Sequence, residues 1–153
     1  MLLTSTTDSI DVVLGASVTT NQLQLVSSYT NTSSTAVTPA KTTTVTNNTT
    51  AVNLVPAPSS GISRQLRYAS IFNSDTRPAT VTIRYNFNGT TRVVLTTVLQ
   101  VNDYIQYTHK TGWKVFNMNG QLRNVNYFNT ISEIRSQEFL LFGANTTTTT
   151  TLS

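Results

Sequence analysis

The sequence predicts an all-β fold, an antiparallel β-sandwich or jelly-roll-like domain, and three observations lead to this prediction. Five strand candidates follow one another at intervals of about 8–12 residues, a spacing typical of sandwiches and barrels rather than of βαβ units. Ala79–Phe87 alternates apolar and polar residues with the period of two expected for a half-buried strand. A chain of 153 residues, 38% of them hydrophobic, is large enough for one β core.

In the N-terminal half, three segments read as strands: Ile10–Leu14, Gln22–Tyr29 and Thr50–Val55. The Thr/Ser-rich insertion at 31–50 contains Pro39 and is either a long loop or an edge hairpin, since threonine tolerates both. The run Pro56–Gly61 is a strong turn signal that ends the third strand.

The central segment holds the five regularly spaced strand candidates, which are Gln65–Asn73, Ala79–Phe87, Thr91–Leu99, Asp103–Thr108 and Trp113–Asn117. The second of them is the clearest, because its apolar face and its polar face separate completely. The apolar face is predicted to carry Val81, Ile83, Tyr85 and Phe87.

The Asn88-Gly89 pair predicts a hairpin turn, and its length decides which side chains reach the core. A two-residue turn would pair Tyr85 with Arg92 and bring an arginine onto the apolar face. A three-residue loop with a bulge at Gly89 would instead place Val93 and Leu95 on that face. It would also place Arg84 and Arg92 together on the outer face. We therefore expect the longer loop. A second hairpin is expected at His109–Gly112, with its register left open.

After Gly120 the pattern changes. Thr130 and Glu133 match a capping box, which predicts a short helix over Ile131–Leu141 that stops at Gly143. The expected organisation is one β-sandwich-like domain at 1–143 and a Thr-rich C-terminal arm at 144–153. Such an arm could add a strand to a neighbouring subunit, and the residues predicted to do so are Thr146, Thr147, Thr148, Thr149, Thr150 and Thr151.

The composition excludes several functions. The absence of cysteine removes disulfide scaffolds, zinc ribbons and thiol catalysis. Charged residues are only 10% of the chain, so the net charge of +4 reflects few ions, and these are scattered rather than clustered. Nucleic-acid binding is therefore not expected. Neither a signal peptide nor an apolar run long enough for a membrane span is found, and we expect no membrane partner and no cofactor.

Catalytic constellations are weak. His109 is the single histidine, and a triad would need Asp103 beside it together with a hydroxyl. Its neighbours Lys110-Thr111-Gly112 indicate an exposed turn instead. Asp8 and Asp11 are the only closely spaced acids near the N-terminus, and they resemble no calcium loop. We expect neither an enzyme nor a metal site.

Arginines and tyrosines offer a candidate binding surface. Arg84 and Arg92 are candidates for contact with a partner or an anion, and Arg64 and Arg67 extend the set. Trp113, the single tryptophan, is predicted to anchor the core with its indole N–H bonded to the backbone.

An ordered set of motifs over about residues 50–120 resembles small β-rich virion proteins of tailed bacteriophages. The motifs are Ala69-Ser70-Ile71-Phe72-Asn73-Ser74-Asp75-Thr76, Ala79-Thr80-Val81-Thr82-Ile83, Asn88-Gly89-Thr90-Thr91, Leu99-Gln100-Val101-Asn102-Asp103-Tyr104 and Gly112-Trp113-Lys114-Val115. Asn102 departs from the pattern, because glycine is expected in that turn.

The resemblance implies a non-enzymatic structural component of the particle, at the capsid surface, the neck or the tail. It implies architectural roles for Asn88, Gly89, Gly112 and Trp113. The expected partners are copies of the chain itself, a trimer being one symmetry, and other virion proteins. The expected location is the virion, after synthesis in the bacterial cytoplasm. The alternative is a glycan- or receptor-binding module of a tail or fibre, which would expose the tyrosines Tyr104, Tyr107 or Tyr127.

Overall fold

The computed structural model describes residues 1–123, and within them all regular structure is β. The ten strands are β1 (Leu2–Leu3), β2 (Ser9–Leu14), β3 (Gln24–Thr32), β4 (Val37–Val45), β5 (Val52–Val55), β6 (Ser63–Phe72), β7 (Ala79–Phe87), β8 (Thr90–Leu99), β9 (Tyr104–Thr108) and β10 (Gly112–Phe116). Every predicted strand in this range is present, with ends shifted by no more than three residues, the largest shift being at the end of β3.

The strands form two antiparallel sheets that pack face to face as a sandwich, as the sequence predicts. The first sheet has the order β10-β9-β6-β3-β4, with β1 added alongside β6. The second sheet has the order β5-β2-β7-β8. The core between them consists of the buried side chains of alternate residues, among them Leu25, Ile71 and Ile105 from the first sheet and Val12 and Ile83 from the second.

The Thr-rich insertion at 31–50 forms an edge hairpin rather than a long loop. Strand β4 pairs along its whole length with β3, and it is the outermost strand of the first sheet. Pro39 and Lys41 lie within it, opposite Thr30 and Ser28. Proline is tolerated in a strand only where its missing N–H is not needed by the ladder, so its presence suits an edge position.

The predicted register of the β7–β8 hairpin is wrong. Asn88 and Gly89 form a two-residue turn, both with positive φ (47° and 78°), and Tyr85 pairs with Arg92. Beyond this turn, β8 carries one extra residue, Val94, in a bulge opposite Ile83 and Arg84. The bulge reverses which residues of β8 face the core, so that the expected alternation returns from Leu95 onward. Leu95 then packs against the core as expected, whereas the side chain of Val93 is 65% exposed.

The three-residue geometry expected at Asn88-Gly89 occurs instead in the second hairpin. There Gly112 pairs with Thr108, three residues form the loop, and Gly112 has a φ of 72°. The neighbouring pair joins Trp113 to Tyr107, whose rings lie 4.9 Å apart between centroids. Asn102 also adopts the left-handed conformation, with a φ of 64°, and so occupies the turn in which glycine is expected.

Trp113 is half-buried and packs against the core, but the expected backbone partner of its indole is missing. Its Nε1 atom is buried and has no hydrogen-bond partner among the described residues. The contact that the ring makes is with the Tyr107 ring, at 4.9 Å between centroids. The predicted helix over Ile131–Leu141, the stop at Gly143 and the domain boundary at 143/144 lie outside the described residues.

The Asn88-Gly89 turn gives a first prediction. Gly89→Ala is expected to lower the free energy of unfolding by about 1 kcal/mol, because an L-residue resists the left-handed backbone. No atom lies within 4 Å of the position that the added Cβ would take, so the cost is conformational rather than steric. Urea denaturation measures it. Asn88→Gly serves as the control, with no loss expected; an unchanged stability of Gly89→Ala would contradict the left-handed turn.

Candidate functional site

The carboxylate side chains among the described residues are all buried. Residues 1–123 contain four of them, Asp8, Asp11, Asp75 and Asp103, with exposures of 0%, 7%, 3% and 3%. A buried carboxylate needs hydrogen-bond donors to offset the loss of hydration. The partners of these four therefore show what each acid does in this protein.

Asp75 holds the loop between β2 and β3. Its two oxygens accept hydrogen bonds from the backbone N–H groups of Thr19 (2.8 Å), Thr20 (2.7 Å) and Asn21 (3.0 Å). These bonds, with that of Thr19 the largest, stabilise the ionised form and lower the pKa of Asp75 to about 2, although burial opposes the shift. Asp75 is an architectural clamp on a segment more than fifty residues away in sequence.

Asp8 performs a similar task at the N-terminal loop. It accepts from the backbone N–H groups of Thr4 (2.9 Å), Ser5 (3.0 Å) and Asn88 (3.2 Å). Burial alone would raise the pKa of Asp8, but the three backbone bonds together lower it. The third bond ties the β7–β8 turn to this loop through the backbone N–H of Asn88.

The Asp75 clamp gives a prediction about pH. Its folded pKa of about 2 lies below the ordinary 3.8, so its stabilisation is complete above pH 3.8 and is lost as the pH falls towards 2. Asp75→Asn is expected to lower the melting temperature at pH 7 by several degrees. It should also flatten the decrease in stability between these two pH values, as measured by thermal unfolding at stepped pH. A variant as steep in this range as the native chain would contradict the assignment.

Arg84 and Arg92 do not form a shared anion site. Arg84 lies on the outer face of the second sheet, with its Nη2 atom 3.7 Å from Oδ2 of Asp11. Arg92 pairs with Tyr85, and it therefore lies on the opposite side of the sheet from Arg84. The expectation that the two share an outer face is wrong, because it followed from the incorrect turn length. Arg84 instead belongs to a polar cluster in which its positive charge faces the negative charge of Asp11.

That cluster occupies the outer face of β2 and β7. Asn86 donates from Nδ2 to Oγ of Ser9 (2.8 Å) and also to Oδ2 of Asp11, and Ser9 donates to Oδ1 of Asp11 (3.0 Å). Thr91 donates to Oδ1 of Asn86 (2.6 Å). Hydroxyl and amide groups thus hold Asp11 in place, and the cluster offers no unoccupied nucleophile or base.

The catalytic arrangement around His109 is not assembled. His109 is exposed in the β9–β10 turn, where its backbone N–H donates to the carbonyl of Arg67 (3.1 Å). Asp103 precedes the other end of β9, a strand of five residues, or about 17 Å. In residues 1–123, moreover, no three His, Cys, Asp or Glu side chains are grouped closely enough to bind a metal ion.

The outer face of the first sheet carries a feature that the sequence does not reveal. The strand register aligns six residues in one line across the sheet, which we call the cross-strand row: Leu122, Phe116, Tyr104, Phe72, Gln24 and Val45. Five of the six are apolar or aromatic. Tyr104 and Phe116 stack at 5.1 Å with an angle of 15° between their rings.

Charge is distributed unevenly over the surface. The exposed charged side chains of the described part are all cationic: Lys41, Arg67, Arg77, Arg92 and Lys110. The four aspartates are buried, so that no exposed carboxylate balances these cations among residues 1–123. A surface whose exposed charges are all positive attracts anionic partners and repels identical copies at long range.

The predicted site residues are therefore separated in space. Asn88, Gly89, Gly112 and Trp113 lie in or beside two hairpin turns of different sheets. Tyr107 is only 6% exposed, Tyr104 is half-buried, and Tyr127 lies outside the described residues together with Thr146–Thr151. The described residues contain no helix with the length and apolar character that crossing a membrane requires.

Comparisons of the chain with protein-family models, with curated proteins and with solved structures give no match.

Proposed function

We propose that this chain is a non-enzymatic structural protein of a tailed-bacteriophage particle, present there as a homo-oligomer at the capsid surface, the neck or the tail. The observation that carries the proposal is that buried aspartates fix the backbone and neighbouring side chains in place. Asp8 and Asp75 hold loops through backbone N–H groups, and Asp11 is held by amide and hydroxyl groups. Acidic side chains committed in this way serve rigidity rather than chemistry.

The surfaces support the same proposal. The outer face of the second sheet offers threonine hydroxyls, such as the bonded pair Thr82 and Thr96 (3.1 Å), beside the exposed Val93, and the first sheet offers the cross-strand row. Faces with hydroxyls and apolar groups suit permanent contacts with neighbouring subunits. Copies of the chain and other virion proteins are the partners that we propose, with synthesis in the bacterial cytoplasm before assembly.

The test is the composition of the particle. Gradient-purified particles of the encoding phage are analysed by quantitative mass spectrometry for peptides of this chain. The expected result is a fixed copy number per particle that survives washing in high salt. Peptides abundant in the infected-cell lysate but missing from purified particles would contradict the proposal. Imaging of the particle then distinguishes a capsid lattice position from a ring at the neck or tail.

One observation favours a second candidate, a glycan- or receptor-binding module of a tail or fibre. Tyr104 and Phe116 are half-exposed aromatic residues, and the amide group of Gln106 lies at the next position on the same face. Aromatic side chains beside an amide donor are a combination that carbohydrate-binding surfaces use. A glycan array probed with the labelled full chain tests it: specific binding that Tyr104→Ala abolishes would favour this function, and an array without hits would remove it.

A further inference from the structure

We propose that the cross-strand row is the surface through which two copies of this chain pair face to face. The inference rests on the proposed homo-oligomer and names the surface that would form it. It is independent of where in the particle the protein lies.

The apolar groups of the row lie where a sandwich ordinarily presents polar groups to water. Ile71, Ile105 and Val115 are buried in the core, so their neighbours Phe72, Tyr104 and Phe116 point outward. The next row along the same face is mostly polar, with Thr43, Val26, Ser70, Gln106 and Lys114. The apolar character is therefore concentrated in one line rather than spread over the face.

The shape of the row favours a protein partner over a ligand that stacks on rings. The rings of Tyr104 and Phe116 cover each other, with 5.1 Å between their centroids, and so present their edges outward as a ridge. Aliphatic side chains flank the aromatic residues at both ends of the row, with Leu122 57% exposed and Val45 48% exposed. Aliphatic ends cannot stack on a base or a sugar, but they pack well against another apolar ridge.

The row is long enough for a specific contact. Six positions at the spacing of neighbouring strands span about 24 Å. Together with the two adjacent rows, this gives roughly 500 Å² from each copy, or about 1,000 Å² in total. That total lies at the lower limit for a stable and specific interface.

A two-fold axis parallel to the strands makes the row self-complementary. Such an axis passes between β9 and β6, and it places Tyr104 against Phe72 of the second copy and Leu122 against its Val45. The cation Lys114 on β10 then meets β3 of the second copy, at Val26, rather than another lysine. No like charges are directly opposed, although the cationic surfaces still repel at longer range.

The charge gives the pairing a distinctive dependence on salt. Because the exposed charges of the described surface are all positive, added salt screens the repulsion and should strengthen the pairing. Docking onto an acidic protein or onto nucleic acid would respond in the opposite way, because salt weakens the attraction between opposite charges. The direction of the salt effect therefore separates these occupants.

The experiment is sedimentation equilibrium of the purified full chain over a range of concentrations, at low and high NaCl. The expected result is a monomer–dimer equilibrium with a lower Kd at high salt. Phe116→Ser should raise the Kd by about tenfold, as loss of a central aromatic contact does. Because Phe116 is half-buried, the exposed pair Leu122→Ser and Val45→Ser provides a second variant that leaves the core intact. Circular dichroism confirms the fold of each variant.

The matched control is Val93→Ser, which removes an exposed apolar group from the outer face of the second sheet. It should leave the Kd unchanged. Three results would overturn the inference: a monomer at every concentration and salt, a dimer that salt dissociates, or a loss of pairing in Val93→Ser that equals the loss in the row variants. A chain that pairs through the row but is missing from purified particles would instead refute the proposed function alone.

Discussion

Asn73→Asp is expected to lower the free energy of unfolding by about 3 kcal/mol or more. The side chain of Asn73 is fully buried, and its Nδ2 atom donates to the carbonyl oxygens of Arg77 (3.0 Å), Leu99 (3.1 Å) and Gln100 (3.0 Å). Aspartate has nearly the same shape but no donor at neutral pH, so a negative charge would face three acceptors. Urea denaturation at pH 7 measures the loss.

Asn117→Asp is the matched control for this substitution. Asn117 lies in an exposed turn, where its Oδ1 atom accepts from the N–H groups of Asn119 (3.0 Å) and Gln121 (2.9 Å). A carboxylate keeps both of these bonds and loses only the exposed donation from Nδ2 to Oε1 of Gln121 (3.0 Å), whose side chain can turn to water, so the change should stay within about 0.5 kcal/mol. If the two variants unfold at the same urea concentration, the three carbonyl contacts of Asn73 contribute nothing that an acceptor could not replace.

Arg64→Ala is expected to cost about 2 kcal/mol of stability. The guanidinium group lies 4.3 Å from the centre of the Tyr29 ring, donates from Nε to Oδ1 of Asn31 (2.8 Å), and donates from Nη1 to the carbonyl of Pro56 (2.6 Å). It thus joins β3 and β6 to the loop that follows β5. Arg64→Lys should recover part of the loss, because an ammonium group keeps the charge but not the fork of donors.

Arg67→Ala distinguishes this contact from a general effect of removing a cation. Arg67 is exposed, and its Nε atom makes a single side-chain bond, to Oγ1 of Thr30 (3.2 Å). Its replacement should change the stability by less than about 0.5 kcal/mol in thermal unfolding. A loss as large as that of Arg64→Ala would show that charge, rather than the contacts of Arg64, is responsible.

The strands were predictable because their signals are local. Ala79–Phe87 alternates along its own sequence, and Pro56–Gly61 ends a strand by its own composition. The β7–β8 register failed for a physical reason that local signals do not contain. A three-residue loop is required only if β8 is regular, whereas the bulge at Val94 allows the favoured Asn-Gly turn and a partly buried Leu95 to coexist.

The contacts of Asp75 and the cross-strand row were not predictable in the same way, because both depend on residues that are distant in sequence. An aspartate beside a turn commonly bonds to its own backbone, but Asp75 also accepts from the distant backbone of Thr19 (2.8 Å). The cross-strand row likewise requires the register of five strands at once, since Phe72 and Tyr104 become neighbours only when β6 and β9 pair. A local trace of it exists: the outward residues Tyr104 and Phe116 break the polar alternation of their strands.

Strand β4 has a consequence for growth into fibres. A nine-residue threonine-rich strand at the border of a sheet is a template for unlimited sideways addition of further strands. Pro39 removes one backbone donor from this template, and Lys41 places a charge that an incoming identical strand would have to bury. Pro39 and Lys41 thereby disfavour strand-by-strand polymerisation in a protein that we expect to be surrounded by its own copies. Assembly into closed oligomers is favoured over fibres.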